Sequence, residues 1–231
     1  MNYIVEGISQ ACHLLLSGNA EVYSAVFTTL KVSTISIILS VLIGIPLGFR
    51  LGYSKFRSAK IIKVIMNILL SMPTVVIGLL VYSFISAQGV LGSLHLLFSI
   101  KAIIVGQTIL ALPIIIALTS NAVENIDEKL KLTLMTLGAR GVQIKKTLLY
   151  ESRYAVFAAA TVAYGRVMSE IGISMMVGGN IKWHTRTITT AIAFETGKGE
   201  FALGVALGIV LLLFATVINV IAVVCKERFI I

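Results

Sequence analysis

The chain has 231 residues, of which 58% are apolar and 13% are charged, and its formal net charge is +9. Soluble domains carry roughly 25% charged residues, so 19 basic and 10 acidic side chains are too few to cover a folded chain of this length with a hydrated surface. This composition excludes a water-soluble globular domain, a disordered chain and a disulfide-rich scaffold, and it indicates an integral membrane protein.

The first apolar segment, residues 8–20, is too short to cross a bilayer. It predicts an interfacial or packed helix that ends at Ser17-Gly18-Asn19, with a disordered tail as the alternative. We therefore expect an outer N-terminal segment at 1–23, a membrane domain at 24–224 and a cytoplasmic tail at 225–231.

The longer apolar segments predict an all-α, polytopic protein with five transmembrane helices. A helix needs about 20 residues to cross ~30 Å of hydrocarbon. Strand alternation typical of membrane β-barrels is absent from the sequence. The fourth segment contains Arg166 and Glu170, which must face protein or water rather than lipid. The predicted spans lie near residues 27–49, 64–86, 102–121, 154–177 and 202–224.

Basic residues are distributed unequally between the two sets of loops. Thirteen fall in the segments 50–63, 122–153 and 225–231, and five fall on the opposite side. The positive-inside rule places the richer side in the cytoplasm and the N-terminus outside. The net charge therefore reports membrane topology, and it gives little reason to expect nucleic acid as a partner.

Several prolines and glycines lie within the predicted spans. Pro46, Pro73 and Pro113 each remove a backbone hydrogen bond and tend to kink a helix, as a transporter that opens and closes requires. A static bundle can also satisfy the freed carbonyl groups. The pairs Gly44/Gly48 and Gly204/Gly208 have the spacing that allows close helix packing within the chain or in a dimer.

The long cytoplasmic segment 122–153 has helical periodicity that is broken at 138–141. We expect a helix, a turn and a second short helix on the membrane face. In this arrangement Leu134, Leu137 and Leu148 pack toward the bundle, and the small residues at the turn allow a partner to approach. An ordinary amphipathic loop is the alternative.

The run Thr136-Leu137-Gly138-Ala139-Arg140 resembles the coupling loop of type I ABC importer permeases, whose motif reads E-A-A-x-x-x-G and later I-x-L-P. Gly138 matches the glycine, and Leu148 takes the isoleucine position. Three spans before the loop and two after it also fit, so the resemblance covers residues 24–224. The departures from the motif are Leu132, Thr133 and Leu134 in place of E-A-A, and Tyr150 and Glu151 in place of L-P.

This resemblance implies a MetI-like permease fold and a coupling helix that docks on a separate ATP-binding subunit. The chain has no phosphate-binding loop, because Ile192 and Gly199 stand where such a loop around Gly197-Lys198 needs glycine and Ser or Thr. We therefore expect no enzyme activity and no bound cofactor or metal in this chain, with ATP and magnesium acting on the partner. The residues assigned to coupling are Leu134, Met135, Thr136, Leu137, Gly138, Ala139 and Arg140.

In the fourth span, Arg166 and Glu170 are four residues apart, which predicts that they share one helix face. They either form an ion pair that hides two charges in the bundle, or they line or brace the translocation path. The residues assigned to the path or gate are Arg166, Glu170, Gly172, Met175 and Met176.

The outer loop that follows is rich in hydroxyl, amide and guanidinium groups, which donate hydrogen bonds to anionic oxygens. The loop either contacts an oxyanion or docks an extracytoplasmic binding protein. Its candidate donors include Thr187, Thr189 and Thr190, and the residues assigned to these roles are Gly178, Gly179, Asn180, Thr185 and Arg186.

The runs Ser169-Glu170-Ile171-Gly172 and 176–181 are similar to molybdate and tungstate permeases, and the runs 14–21 and 189–203 look more like the tungstate type. This resemblance implies a homodimer in the cytoplasmic (inner) membrane, with two ATP-binding subunits and an extracytoplasmic oxyanion-binding protein. The expected function is import of a tetrahedral oxyanion, tungstate first, by alternating access.

Several alternatives remain open. The substrate could be molybdate or another small oxyanion. An ion-coupled secondary transporter would usually carry internal repeats, and a membrane enzyme would need a catalytic set of side chains. The sequence contains neither internal repeats nor such a catalytic set.

Overall fold

The computed structural model describes residues 3–54 and 57–228, and these residues form eleven α-helices and one 3₁₀ turn. Lys55 and the end of the predicted tail, 229–231, lie outside the described residues. The helices are α1 (Tyr3–Leu16), α2 (Ala20–Tyr53), α3 (Arg57–Leu70), α4 (Thr74–Ile85), α5 (Ile100–Glu124), α6 (Glu128–Thr136), α7 (Gly141–Glu151), α8 (Arg153–Met168), α9 (Gly172–Gly178), α10 (Ile188–Gly197) and α11 (Phe201–Arg228).

Three of the described helices, α2, α5 and α11, are long and apolar enough to cross a membrane unbroken. Two further crossings arise if each bent pair forms one span: α3 with α4, bent by 101°, and α8 with α9, bent by 58°. The all-helical architecture agrees with the expectation from sequence. The second and fourth predicted spans, however, are broken rather than continuous.

The N-terminal segment forms α1, which packs along α11. A Cβ atom on Gly7 would lie 2.5 Å from Val205 Cγ1, and Ala11 is fully buried. The chain then turns at Gly18, whose φ is +66°, and Asn19 Oδ1 accepts hydrogen bonds from the first backbone N–H groups of α2. The prediction of a packed helix is confirmed here, and the alternative of a disordered tail is wrong.

The centre of the bundle is the contact between α2 and α5. A Cβ atom on Gly44 would lie 2.8 Å from Ile115 Cγ2, and one on Gly48 would lie 2.7 Å from the Ile116 carbonyl oxygen. The Gly44/Gly48 pair therefore brings two helices of the same chain together and is not available for a dimer contact. Ser36, buried in the same contact, donates a hydrogen bond to the carbonyl of Ile104 on α5.

The two breaks have different causes. Pro73 precedes α4 and cannot donate a backbone hydrogen bond, so the chain bends there. Pro46 and Pro113, by contrast, lie inside α2 and α5, which run without a break. The bend between α8 and α9 contains no proline, so the rule that located the first break could not locate the second.

Charged residues that are distant in sequence meet at two ends of the bundle. At one end, Lys63 Nζ pairs with Glu124 Oε2 at 2.6 Å, and Lys131 lies over the ring of Tyr53. At the other end, Lys182 and Arg186 both pair with Glu21. The coupling loop and the outer loop therefore belong to separate ends of the molecule.

Candidate functional site

The loop between α5 and α8 folds as two short helices that meet at a glycine turn. Asp127 caps α6 by accepting a hydrogen bond from Lys129 N at 2.9 Å. Gly138 has a φ of +74°, a conformation that side-chain-bearing residues adopt only at a cost, and no described atom lies within 4 Å of the position its Cβ would take. Arg140 N then donates to Gln143 Oε1 at the start of α7. A helix, a turn and a second helix were expected in this segment.

The direction of one coupling-loop side chain differs from the prediction. Leu148 is buried and Leu134 is half-buried, as the periodicity indicates, but Leu137 is 77% exposed. Leu137 follows the last residue of α6, so the helical periodicity no longer sets its direction. Four large apolar side chains of this loop are exposed, and together we call them the coupling patch: Leu132, Met135, Leu137 and Val142.

Lysines on α6 and α7 attach this loop to the end of α2. Lys131 Nζ lies 5.0 Å from the centroid of the Tyr53 ring, and Lys145 Nζ lies 5.5 Å from it. Tyr53 is stacked in turn on Phe49, at 5.9 Å between ring centroids. A displacement of the two short helices would therefore be transmitted to α2, which runs through the centre of the bundle.

Glu170 lies at the bend of the fourth span, beyond the end of α8, and is almost completely buried. Its Oε1 atom accepts a hydrogen bond from Ile173 N at 3.0 Å, at the start of α9, and its Oε2 atom accepts one from Arg166 at 3.0 Å. Thr189 on α10 donates to the Glu170 carbonyl at 2.9 Å. The predicted ion pair exists, but it spans a helix end, and the carboxylate also caps the next helix.

The two bends touch each other. A Cβ atom on Gly172 would lie 3.1 Å from Val75 Cγ2, 3.2 Å from Thr74 Oγ1 and 3.3 Å from Glu170 Oε1. Farther along the same contact, a Cβ on Gly78 would lie 3.2 Å from Ile173 Cα. The broken halves α4 and α9 therefore pack closely, and a movement of one bend requires a movement of the other.

One face of α8 is exposed, and its composition is unusual for a membrane helix. Arg166 retains 43% of its side-chain exposure, although its partner Glu170 retains 1%. An arginine that faces lipid at mid-membrane costs about 2.5–3.5 kcal/mol on insertion scales, so such residues face water or protein instead. The other exposed residues of this face are mostly small: Ala155, Ala158, Val162, Gly165 and Ser169.

Arg166 lies near the end of α8 that is away from α7. It follows the first residue of α8, Arg153, by 13 positions, which is about 20 Å at 1.5 Å per residue. The exposed arginine therefore lies beside the bend and far from the two short helices of the coupling loop.

The methionines and glycines of the predicted gate have packing roles. Met176 packs on the core cluster that contains Ile103, whereas Met175 is partly exposed. A Cβ on Gly178 would lie 2.6 Å from Ile103 Cδ1, and Gly179 has a φ of +71° beside the ring of Phe98. Only glycine allows these two close approaches.

The hydroxyl groups of the outer loop are already used in internal hydrogen bonds. Thr185 Oγ1 donates to the Gly178 carbonyl oxygen and accepts a bond from Ile181 N. Thr187 caps α10 by accepting a hydrogen bond from Thr190 N. Asn180 differs, because its Oδ1 atom is buried and makes no hydrogen bond among the described residues. In this conformation the loop is a rigid unit rather than a set of free donors.

Arg186 ties this loop to the rest of the bundle. Its guanidinium, only 6% exposed, pairs with Glu21 at the start of α2 and lies 3.7 Å from Glu195 Oε1 on α10. Lys198 pairs with the same Glu195 at 3.2 Å. Arg186 was predicted to contact an anion or a docked protein, but here two carboxylates surround it.

The sequence analysis missed Trp183, the single tryptophan of the chain. Its side chain is 62% exposed, and its φ of +64° is uncommon for a bulky residue. The backbone N–H groups of residues 184, 185 and 186 all donate to the Ile181 carbonyl oxygen, which holds the loop in this shape. The sequence did contain a signal for Trp183, since a large aromatic residue in a polar loop marks a contact surface.

Comparison with known proteins identifies the family to which the chain belongs. The family of binding-protein-dependent transport system inner membrane components matches residues 44–230. The chain belongs to this family. As such a permease it is a transport subunit of the inner membrane rather than an enzyme, and its partners are an ATP-binding subunit and a substrate-binding protein.

Two relatives of this permease match it over nearly its whole length. The tungstate uptake system permease protein TupB of Campylobacter jejuni is 50% identical, over 95% of this chain and 92% of the relative. The protein of the same name from Peptoclostridium acidaminophilum is 36% identical, over 95% and 96%.

Solved structures share the fold of this permease. The inward-facing methionine ABC transporter MetNI has a chain with a TM-score of 0.73 and 20% identity, covering 90% of this chain and 95% of that one. A bacterial ABC transporter that imports the acidic polysaccharide alginate gives a TM-score of 0.72 at 18% identity, covering 89% and 79%. The predicted MetI-like permease fold is confirmed.

Proposed function

We propose that this permease moves a tetrahedral oxyanion, and that the oxyanion is tungstate. The observation that carries the choice is the 50% identity, over 95% of the chain, to a permease named for tungstate uptake. Relatives named for molybdenum and sulfate transport are only about half as similar, at 25% and 24% identity. Tungstate therefore stands ahead of molybdate and sulfate, which remain the competing substrates.

The exposed face of α8 supports a homodimer. A face that contains Arg166 and small residues is costly against lipid but suits a two-fold contact around a water-filled path. In the proposed dimer, the α8 helices of two copies face each other across that path. Arg166, Glu170 and Gly172 then lie beside the path, while Met175 and Met176 line or brace it.

The proposed orientation follows the positive-inside rule. The end that carries Lys63, Lys131 and Lys145 faces the cytoplasm, and the end that carries Lys182 and Arg186 faces outward. Residues 1–23 then begin the chain on the outer side, and residues 225–231 end it in the cytoplasm.

The coupling patch and the turn 137–140 form the proposed docking surface for the ATP-binding subunit. Leu137 and Met135 are large apolar side chains exposed at an aqueous end of the molecule, where such side chains are costly unless a partner covers them. ATP and magnesium act on that partner. Closure of the ATP-binding subunits would move α6 and α7, and the contacts of Tyr53 would transmit the movement to α2.

The outer loop is the proposed docking site of the binding protein rather than an anion site. Residues 178–186 form internal hydrogen bonds, and Arg186 is buried between two carboxylates whose negative charge disfavours an anion there. Trp183 at the tip provides the large exposed aromatic surface that often dominates a protein interface. The loaded binding protein would favour the same packing of the bundle as ATP.

The test reconstitutes the permease in proteoliposomes with its cognate ATP-binding subunit and binding protein. We expect ATP-dependent uptake of tungstate that molybdate and sulfate inhibit only at higher concentrations. Uptake that an ion gradient drives without ATP, or a permease that never associates with the ATP-binding subunit, would contradict the proposal.

A variant at the turn tests the coupling surface in the same assay. Gly138→Trp should abolish association with the ATP-binding subunit, because the bulky side chain occupies the open space at the turn. Gly138→Asn should retain it, since asparagine is small and tolerates positive φ. Gly197→Trp, the same change in open space at the other end, is the matched control. Unchanged coupling in Gly138→Trp would exclude this docking surface.

A further inference from the structure

The guanidinium of Arg166 is exposed at a depth where little else on the surface is charged. Its α8 neighbours on the same face are apolar or small, and its partner carboxylate lies beneath it in the protein. A group arriving along the exposed face therefore meets positive charge first and negative charge behind it. This order favours an anion over a cation.

Within the Arg166–Glu170 ion pair, Glu170 is the residue that makes the hydrogen bonds inside the protein. Its two oxygens accept bonds from Ile173 N and from Arg166, so the carboxylate caps α9 and holds the arginine at once. Arginine has five N–H donors, and the bond to Glu170 uses the Nη1 atom. Because 43% of the Arg166 side chain stays exposed, the pairing does not cover the guanidinium. Glu170 thus holds the guanidinium in place and leaves other donors for a ligand.

We propose that Arg166 is the transient oxyanion contact of the permease, and that Glu170 is the residue that positions it. This inference rests on the proposed function. In the homodimer two guanidinium groups, one from each α8, would face the path at the same depth. A tetrahedral dianion has oxygens enough to accept hydrogen bonds from both, and guanidinium binds such oxygens well.

The pairing with Glu170 also keeps the site weak. Two unpaired arginines in a low-dielectric path would hold a dianion tightly, and transport requires that the anion leaves. A guanidinium whose charge is balanced by a buried carboxylate attracts the anion without trapping it. Selectivity among oxyanions then stays with the binding protein, as a path with a weak contact requires.

The site adjoins both bends, which connects it to the conformational change. Glu170 Oε1 lies close to the Cβ position of Gly172, which is itself in contact with Thr74 and Val75 of the other broken span. A movement of α4 against α9 would therefore shift Glu170 and, through the ion pair, the guanidinium. The contact would thus differ between the two packings of the bundle, as a transport site must.

A set of four variants distinguishes an anion contact from a structural ion pair. The variants are Arg166→Gln, Arg166→Lys, Arg166→Gln with Glu170→Gln, and Lys101→Gln as the charge-matched control on an exposed residue elsewhere. Each is assayed in the full complex for association with the ATP-binding subunit, for binding-protein-stimulated ATP hydrolysis, and for tungstate uptake.

For an anion contact, we expect Arg166→Gln to lower uptake per ATP hydrolysed by at least about tenfold while association persists. Arg166→Lys should retain an intermediate rate, because it keeps the charge but not the planar donors. The double variant should remain as poor as Arg166→Gln, although it has no unpaired buried charge. Lys101→Gln should transport normally.

Two outcomes would overturn the inference. Recovery of uptake in the double variant would mean that Arg166 serves only to neutralise Glu170. Normal uptake in Arg166→Gln would mean that the anion does not depend on the guanidinium. If Arg166→Gln fails to assemble, the double variant decides, and its failure to assemble as well would make the pair purely structural. In all these cases wild-type uptake still tests the proposed function separately.

Discussion

The fourth and fifth spans are both apolar segments of the same chain, yet their exposed faces are opposite in character. The exposed face of α8 carries Arg166 among small residues, with a bend directly beyond it. Thr216 and Asn219 are exposed on α11, but most of its exposed residues are large and aliphatic: Leu212, Leu213, Val217, Val220, Ile221, Val223 and Val224. Lipid accepts the second face and not the first, so α11 fits the bilayer and α8 fits a path or a second subunit.

The contrast shows that hydropathy finds spans but does not tell which way they face. The 18-residue window of α11 has the highest mean hydropathy of the three unbroken helices, 2.8, and is 22% buried. The corresponding window of α5 is less apolar, at 2.3, and 67% buried. In this bundle the most apolar of the three unbroken helices is also the least buried, and hydropathy does not reveal the face that carries Arg166.

The first test of the contrast between α8 and α11 removes the Glu170 carboxylate, which caps α9 at the bend. Glu170→Ala leaves the buried Ile173 N without its acceptor and the half-exposed Arg166 without its partner, so we expect a loss of about 1–3 kcal/mol in stability, the usual cost of an unsatisfied buried donor. Thermal unfolding of the purified complex measures it. Glu195→Ala, which removes a carboxylate from the outer cluster, should impair transport less. Equal transport defects would favour a purely structural ion pair.

The outer ends of the two segments provide the second test. α9 leads into the loop that carries Trp183, and we expect Trp183→Ala to weaken docking of the binding protein about 30-fold, or about 2 kcal/mol, because hot-spot aromatics contribute that much. Titration of the binding protein against stimulated ATP hydrolysis measures the change. Val90→Ala, at another exposed apolar residue of the same end, is the control. Equal effects of both changes would mean that Trp183 has no special role.

A matched pair of tryptophans tests whether α8 meets a second copy. Gly165 is exposed on α8, and no described atom lies near the position of its Cβ. We expect Gly165→Trp to weaken dimerisation at least about tenfold, which is 1.4 kcal/mol. Leu213→Trp on α11 should have no effect, since this exposed side chain lies outside the groove that Gly165 lines and lipid accommodates it. Native mass spectrometry of the two variants measures the dimer fraction, and an effect confined to Leu213→Trp would reverse the assignment of the two faces.

The smallest expected effect concerns the accessibility of the two helix faces to water. Single cysteines at Val162 or Ser169 on α8 should react with a water-soluble thiol reagent at least about tenfold faster than cysteines at Val217 or Val220 on α11. The reason is that thiolate chemistry needs water and the bilayer excludes it. The background must lack both native cysteines, Cys12 and Cys225. Equal rates on the two helices would mean that the α8 face does not line an aqueous path.

Much of the coupling region could be predicted from sequence because its signals are local. The helical periodicity predicts the two short helices, and its break at 138–141 locates the turn at Gly138, since both signals act within a few residues. Leu137 could not be predicted in the same way. The helix ends just before it, so the periodicity that assigns buried positions ceases to apply.

The candidate translocation path, in contrast, could be predicted from the sequence only in part. Spacing alone paired Arg166 with Glu170, and the pair exists. The bend beyond α8 has no proline to announce it, because the buried carboxylate of Glu170 caps α9 there. Arg186 illustrates the same limit: one of its two carboxylate partners, Glu21 on α2, is 165 residues away, and these partners change a candidate anion donor into a structural tie.

By itself, the sequence determined that this protein is a helical membrane protein with five apolar segments, two unequal sets of loops and a coupling loop between the third and fourth segments. These properties follow from composition and from interactions within a few residues. Only the tertiary structure decided which faces are exposed, which charges are neutralised and where the spans bend. Many of those outcomes depend on partners far away in the sequence, such as Glu21, which is 165 residues from Arg186, and no local pattern contains them.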